Sequence, residues 1–311
     1  MRVGVAMCTT CACPLPGQCI NVGMLIGALG ALIVGAGIIT GKATWQLSGW
    51  AAITGAALIT LSDLASPIVL TNALRQAYTV AWLVIVTGFT RAVSIQTMGA
   101  FYAFGAYPAL LMALLLGQPM AAWVGMQSDF VPALWVPVTE EAVKAAPVAI
   151  YFAVASNRWR PSASDGVLLG FLVGAGFDLH ENLIYDRPAG TGWGRSWWSM
   201  LFPTVSYGRG YYGASHGIFT ALVGLAMGLA FVLRARRYVW LVPVVVFTLV
   251  VFRHGTENTR HATASMIGRV VTLNGRLLLI TLLVGIIVAI ALDARRGRAE
   301  KSLGPGSRVQ P

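Results

Sequence analysis

Acidic residues are scarce in this chain: six aspartates and five glutamates in 311 residues, against 22 lysines and arginines. Charge of either sign amounts to 11% of the sequence, while hydrophobic residues make up 57%. An ordinary soluble domain is roughly one quarter charged, so a soluble globular fold is excluded. No cysteine follows Cys19, so the bulk of the chain carries no disulfide framework. Period-two alternation is missing from the apolar runs, which excludes a membrane β-barrel. No tandem repeat is visible, and no nucleic-acid-binding motif accompanies the basic excess. That excess instead suits loops that face anionic lipid headgroups, and no nucleic-acid partner is expected.

What is present is a series of apolar runs near 20 residues, with a mean hydropathy of +0.72 overall. Runs of that length cross a bilayer core of roughly 30 Å as helices, because backbone polar groups in lipid must bond internally. The expected fold is an all-α polytopic transmembrane bundle of about nine spans, near 20–40, 49–70, 77–91, 99–117, 137–156, 164–185, 211–233, 239–256 and 277–292. Residues 1–19 form a Cys-rich N-terminal segment and 20–130 a first group of helices without a distinctive motif. Residues 131–292 form the core that carries the chemistry, and 293–311 a disordered cytoplasmic tail.

The clusters "NRWR" (157–160), "RARR" (234–237) and "RRGRAEK" (295–301) fall on one side if each later span crosses once. By the positive-inside rule that side is cytoplasmic. The N-terminus is then outside, the C-terminus inside, and the protein lies in the plasma membrane. Cys8, Cys11, Cys13 and Cys19 lie in the outer segment, where disulfides are permitted; their spacing lacks the paired CxxC pattern of a zinc ribbon. The loop "GWGRSWWSM" (192–200) reads as an interfacial tryptophan belt or as a cover over an outward site.

Ionisable residues at membrane depth are costly and mark cavities or functional sites. They are Asp63, Glu140, Glu141, Lys144, Asp178, His180, Glu181, His216, Arg253 and His254. Asp63 stands alone; the rest fall on the fifth to eighth spans. Pro137 suits a first helical turn, which puts Glu140 and Glu141 about one turn below the outer surface. Glu181 near the end of the sixth span, His216 near the start of the seventh and His254 near the end of the eighth reach a similar depth. Four helices therefore deliver carboxylates and imidazoles to one layer. Spacing makes Glu140 and Lys144 neighbours on one helix face and leaves Glu141 to point at His216 or His254. Asp178 and His180 sit on other faces than Glu181, while Glu257 and His261 are expected in a solvated outer loop.

Two glutamates and two histidines in a partly desolvated layer suit hydrolysis. A carboxylate can take a proton from water, and histidines can hold a metal or steady an oxyanion. A zinc or other divalent site would draw on His216, His254 and one of Glu181 or Glu141. A metal-free site with a glutamate base is equally drawable, with Asn258 assisting at the oxyanion.

The motifs resemble those of the PrsW-type intramembrane proteases. "EEAVK" (140–144) matches an EExxK motif, and "SDGVLLGFLVGAGFDLHENLIY" (164–185) matches a block with Asp165-Gly166 at its start and Phe177, Glu181 and Asn182 at its end. "SHGIFTALVGLAMG" (215–228) carries His216, and "RHGTEN" (253–258) carries His254, with Asn258 where an aspartate is common. The resemblance implies the superfamily of CAAX prenyl endopeptidases and bacteriocin-processing proteases, whose namesake branch cleaves a membrane-anchored anti-sigma factor outside the cytoplasm. It implies an intramembrane endopeptidase that acts on single-pass membrane proteins with a Glu-activated water. Glu140, Glu141, Glu181, His216, His254 and Asn258 would be its catalytic set and Lys144 a supporting residue. The competing reading is a proton-coupled transporter or an inactive scaffold of the same fold. Transporter sites usually lie at the midplane between repeated halves, whereas this polar layer is off-centre.

Overall fold

The computed structural model describes residues 22–59, 67–124, 131–155, 161–185, 201, 206–208, 211–258 and 262–302. Asp63, the four cysteines, the loop 192–200, His261 and the last nine residues lie outside this set. Helix α1 (Val22–Thr40) and α2 (Ala43–Ile59) form a hairpin. Its turn contains Gly41 at φ +72°, a left-handed conformation that glycine adopts without a Cβ penalty. Helix α3 (Pro67–Thr87) follows, then α4 (Ile95–Phe104).

A π turn at Gly105–Ala109 joins α4 to α5 (Leu110–Val124). Pro108 lies inside that turn; proline has no N–H to donate and its ring crowds the carbonyl four residues back, which the wider turn relieves. A second π turn, Val131–Trp135, leads into α6 (Val136–Ala155). Then come α7 (Ala163–Tyr185), a two-stranded antiparallel hairpin β1 (Ser206–Gly208) and β2 (Tyr211–Gly213), α8 (His216–Val232), α9 (Leu241–Asn258), α10 (Ala262–Val271) and α11 (Arg276–Ser302).

Helix α7 is the axis of the bundle. Every residue from Pro161 to Phe177 is buried. Gly166, Gly170 and Gly174 recur every four residues and line one face. A Cβ at these positions would run into the backbone carbonyls of Gly224, Thr220 and His216 respectively. Small residues at such spacing let antiparallel helices approach closely where the hydrophobic effect offers no driving force. On another side, Gly176 and Gly105 bring α7 against α4 and the π turn with equally little room.

The N-terminus of α7 is held by carboxylates. Ser162 Oγ accepts from Asp165 N (3.1 Å) while Asp165 Oδ2 accepts from Ser162 N (2.8 Å), a reciprocal capping box. Asp293 of α11 accepts from Ala163 N and Ser164 N, both at 2.9 Å, and from Ser164 Oγ at 2.6 Å. Asp165 also accepts from Ala92 N (2.8 Å), which ties in the α3–α4 connection.

Several expectations change. Helix α3 opens at Pro67, so residues 67–70 belong to the third helix and not to the second span. Helix α8 begins at His216, not near Tyr211, because residues 211–213 pair as a strand. Helix α11 runs on through Ser302, so the tail expected from residue 293 is helical over its first part, and Asp293 is buried.

The architecture is a helical membrane bundle. The count of about nine spans is not supported by length and composition: among the described residues three stretches qualify on that measure, Gly23–Thr40, Ile95–Gly117 and Met266–Arg298. The reason is visible in the core: α6 carries Glu140, Glu141 and Lys144, α7 carries Asp165, Asp178 and Glu181, and α8 is 17 residues long.

Candidate active site

The site is assembled where the start of α6, the end of α7, the start of α8 and the end of α9 meet. The second π turn delivers α6 to this place. Trp135 Nε1 donates to Leu116 O (3.1 Å), and Thr139 Oγ1 donates back to Trp135 O (2.9 Å). The same turn fixes α9, since a Cβ on Gly255 would strike the carbonyl of Ala133. His254 is thereby set beside the first turns of α6.

Lys144 lies at the centre with a side-chain exposure of 0%. Its ammonium donates to Glu141 Oε1 at 2.7 Å and stands 3.7 Å from Glu140 Oε2. Helical spacing pairs Lys144 with Glu140 and leaves Glu141 without an intrahelical counterion. The structure reverses this: Glu141, three residues away, is the closer partner. Positions three and four apart are both neighbours on a helix, and the rotamers decide between them.

His216 is the first residue of α8, behind Ser215 in an extended conformation. Its Nδ1 lies 2.7 Å from Lys144 Nζ, and its Nε2 2.6 Å from Glu181 Oε2. An ammonium has only protons to offer, so Nδ1 accepts, and Nε2–H donates to Glu181. His254 Nδ1 lies 3.0 Å from Glu141 Oε1. A carboxylate only accepts, so Nδ1–H donates, and in the neutral imidazole the lone pair of His254 rests on Nε2, 3.8 Å from Glu140 Oε2. Aromatic rings wall the cluster: Phe177 meets His216 edge-on at 5.0 Å, Phe219 stacks on His254 at 5.7 Å, and the Lys144 ammonium sits 4.4 Å over the Phe177 ring.

Glu140 and Glu141 thus differ. Glu141 is buried, with Oε1 bonded to both Lys144 and His254. Glu140 is partly exposed at 13%, and its Oε2, like Oε2 of Glu141, has no hydrogen-bond partner among the described residues. Glu140, His216 and His254 present one donor atom each, all within 4.8 Å of one another. The buried, unpartnered Glu140 oxygen and Nε2 of His254 are the donor chemistry a divalent cation requires, so these two fit a metal, with His216, bonded to Lys144 and Glu181, at the third corner. This differs from the expected set with Glu181 or Glu141: Glu181 is bonded to His216, and Glu141 Oε1 to Lys144 and His254.

The structure brings together Glu140, Glu141, Lys144, Glu181, His216 and His254. It leaves Asn258 exposed at the end of α9, without a hydrogen bond to the cluster among the described residues. Glu257 is half-buried and pairs with buried Arg253 at 2.7 Å, where sequence reading placed it in solvent. The helix continues to Asn258 and keeps the two on adjacent turns. Asp178 accepts from Gln76 Nε2 (3.3 Å), and Gln76 in turn accepts from Tyr102 OH (3.2 Å). His180 is buried against the ring of Tyr107. The buried polar face of α3, formed by Asn72, Arg75, Gln76 and Thr79, escaped the sequence reading. Its spacing of three, four and seven was the available signal, obscured by a span drawn to start at residue 77.

The family model described as "PrsW family intramembrane metalloprotease" matches residues 93–292. The match begins at Val93, ahead of the start of the core at residue 131, and so takes in α4 and the π turn that pack against α7. No curated relative and no solved structure matches the chain.

Proposed function

Because this chain belongs to the PrsW family of intramembrane metalloproteases, we propose that it is an endopeptidase that cleaves single-pass, membrane-anchored proteins of the anti-sigma-factor type with a water activated by Glu140. The observation that carries this reading is the 3.8 Å gap between Glu140 Oε2 and Nε2 of His254. A water placed there is held by two acceptors and is poised to lose a proton to Glu140.

Each neighbour has a role. Glu141 holds His254 in the tautomer that leaves Nε2 free, as a triad carboxylate orients its imidazole. Glu181 does the same for His216 from the other side. The Lys144 ammonium balances the paired carboxylates and lends positive potential to the oxyanion that forms on the substrate carbonyl. The proton taken by Glu140 passes to the leaving amine. Glu140 and His254, joined by His216 when its ring is free, would hold a divalent ion, zinc among the candidates, and such an ion would supply Lewis acidity.

The bundle is proposed to cross the plasma membrane about nine times with the basic ends inside. Helix α7's start, α8's end and the C-terminal half of α11 meet at one end, where Arg296 donates to Pro161 O at 3.3 Å. The site lies at the opposite end of these helices and would face outward, open to the juxtamembrane part of an extracytoplasmic substrate. Exposed Asn258 stands at that mouth, next to the scissile segment.

The test is cleavage of a panel of single-pass proteins in proteoliposomes, with products identified by mass. Glu140→Gln should lower cleavage at least about a hundredfold while the protein stays folded. Undiminished cleavage by this variant would end the assignment of Glu140. Substrate-independent proton flux with no product would support the transporter reading instead.

A further inference from the structure

We propose that Lys144 gates the metal capacity of this site: while its ammonium occupies Nδ1 of His216, a divalent ion can use Glu140 and His254 but not His216. This rests on the reading of Glu140, His216 and His254 as the donor set, and it concerns which of them is available.

Hydrogen-bond valence decides which histidine is open. An imidazole offers a metal a ring nitrogen that carries a lone pair. Both nitrogens of His216 are committed: Nδ1 to Lys144 at 2.7 Å and Nε2 to Glu181 at 2.6 Å. Exchanging the tautomer does not free the ring. A proton on Nδ1 would then confront the ammonium, donor against donor, and Nε2 would lose its bond to Glu181. His254 has no such conflict, since Glu141 takes its Nδ1–H and leaves Nε2 open.

The ammonium itself is well held. It contacts Glu141, Glu140 and His216 within 3.7 Å and lies over the Phe177 ring. A buried charge persists only when paired and bonded in this way. A divalent ion that approached His216 would meet this positive charge first, so ion and ammonium compete for one position. Two protein ligands then remain, where catalytic zinc sites typically use three. Linkage makes the effect reciprocal: whatever moves Lys144 off Nδ1 tightens metal binding, and bound metal expels Lys144 from Nδ1.

The experiment measures Zn2+ affinity by competition with a chromophoric chelator in detergent, on the full chain, independently of any cleavage. Co2+ absorption reports the ligand set. Lys144→Met should bind Zn2+ at least tenfold more tightly than the unaltered protein, with a Co2+ spectrum of higher nitrogen content. His216→Ala should leave affinity unchanged when Lys144 is present and erase the gain when combined with Lys144→Met. Lys144→Gln serves as the second neutral variant should the methionine fail to fold, and Lys144→Arg, which keeps the cation, should show no gain. The proposal is overturned if neutral variants bind no more tightly, or if His216→Ala weakens binding as much with Lys144 in place as without it. A catalytically inert protein that shows this pattern would disprove the protease reading and leave the gate standing.

Discussion

Glu140 and Glu141 are adjacent in sequence and differ in their surroundings, and this asymmetry is testable residue by residue. Glu141 accepts from Lys144 and His254 deep in the bundle. Glu141→Gln keeps the shape but leaves the buried ammonium without its nearest counterion, and breaking a buried pair from one side costs about 3–5 kcal/mol. Glu140 stands farther from Lys144, at 3.7 Å, and its Oε2 has no hydrogen bond to lose, so Glu140→Gln should cost clearly less than Glu141→Gln. Thermal unfolding in detergent should therefore fall markedly for Glu141→Gln and little for Glu140→Gln, although both lose activity. Equal shifts would contradict the division of labour. The residues themselves were legible in the sequence: charges at membrane depth are so expensive that Glu140, Glu141, Glu181, His216 and His254 stood out without coordinates. Their pairing was not legible. Helical spacing places both Glu140 and Glu141 within reach of Lys144, and only side-chain packing against Phe177 and His216 chooses between them.

At the scale of elements, the glycine face of α7 sets the position of His216. Gly174 lies against the backbone of His216 itself, so Gly174→Ala must push the first turn of α8 away from Lys144 and Glu181. Misplacement near 1 Å can cost about a hundredfold in rate, and overpacking costs about 1–3 kcal/mol. The expected result is a fall in kcat larger than the change in Tm suggests. Gly35→Ala on α1, where a Cβ would meet nothing within 4 Å, is the matched control and should be silent. Asp293 gives a second case: Asp293→Ala removes three hydrogen bonds from the start of α7 and should cost about 2–3 kcal/mol, read as a lower Tm. The existence of most helices was legible because apolar runs that long permit little else in a membrane. Their ends were less so. "YYG" before His216 is apolar enough to extend a helix, yet it pairs as a strand across a two-residue connection. Asp293 looked like the first residue of a polar tail because its partners, Ala163 and Ser164, lie 130 and 129 residues upstream.

At the scale of the whole molecule, the orientation decides which substrates the site can meet. Basic segments 234–237 and 295–298 belong to the end of the bundle where Gly228 packs on Ala163 and Asp293 caps α7. The carboxylate–imidazole cluster belongs to the other end. Helix α9 links the two: Arg236 is exposed just before it and Asn258 is exposed at its finish. Eighteen residues at 1.5 Å per residue span about 27 Å, close to the thickness of the hydrocarbon core. The two positions should therefore lie on opposite sides of the membrane. In a background with the four native cysteines replaced by serine, Asn258→Cys should react with an impermeant maleimide on intact cells. Arg236→Cys should react only after permeabilisation. The reverse pattern would turn the site toward the cytoplasm, and the substrate class would have to be drawn from proteins anchored on that side. Labelling of both from one side would mean that α9 does not cross, and the depth argument that gathers His254 with Glu140 would need a re-entrant helix in its place.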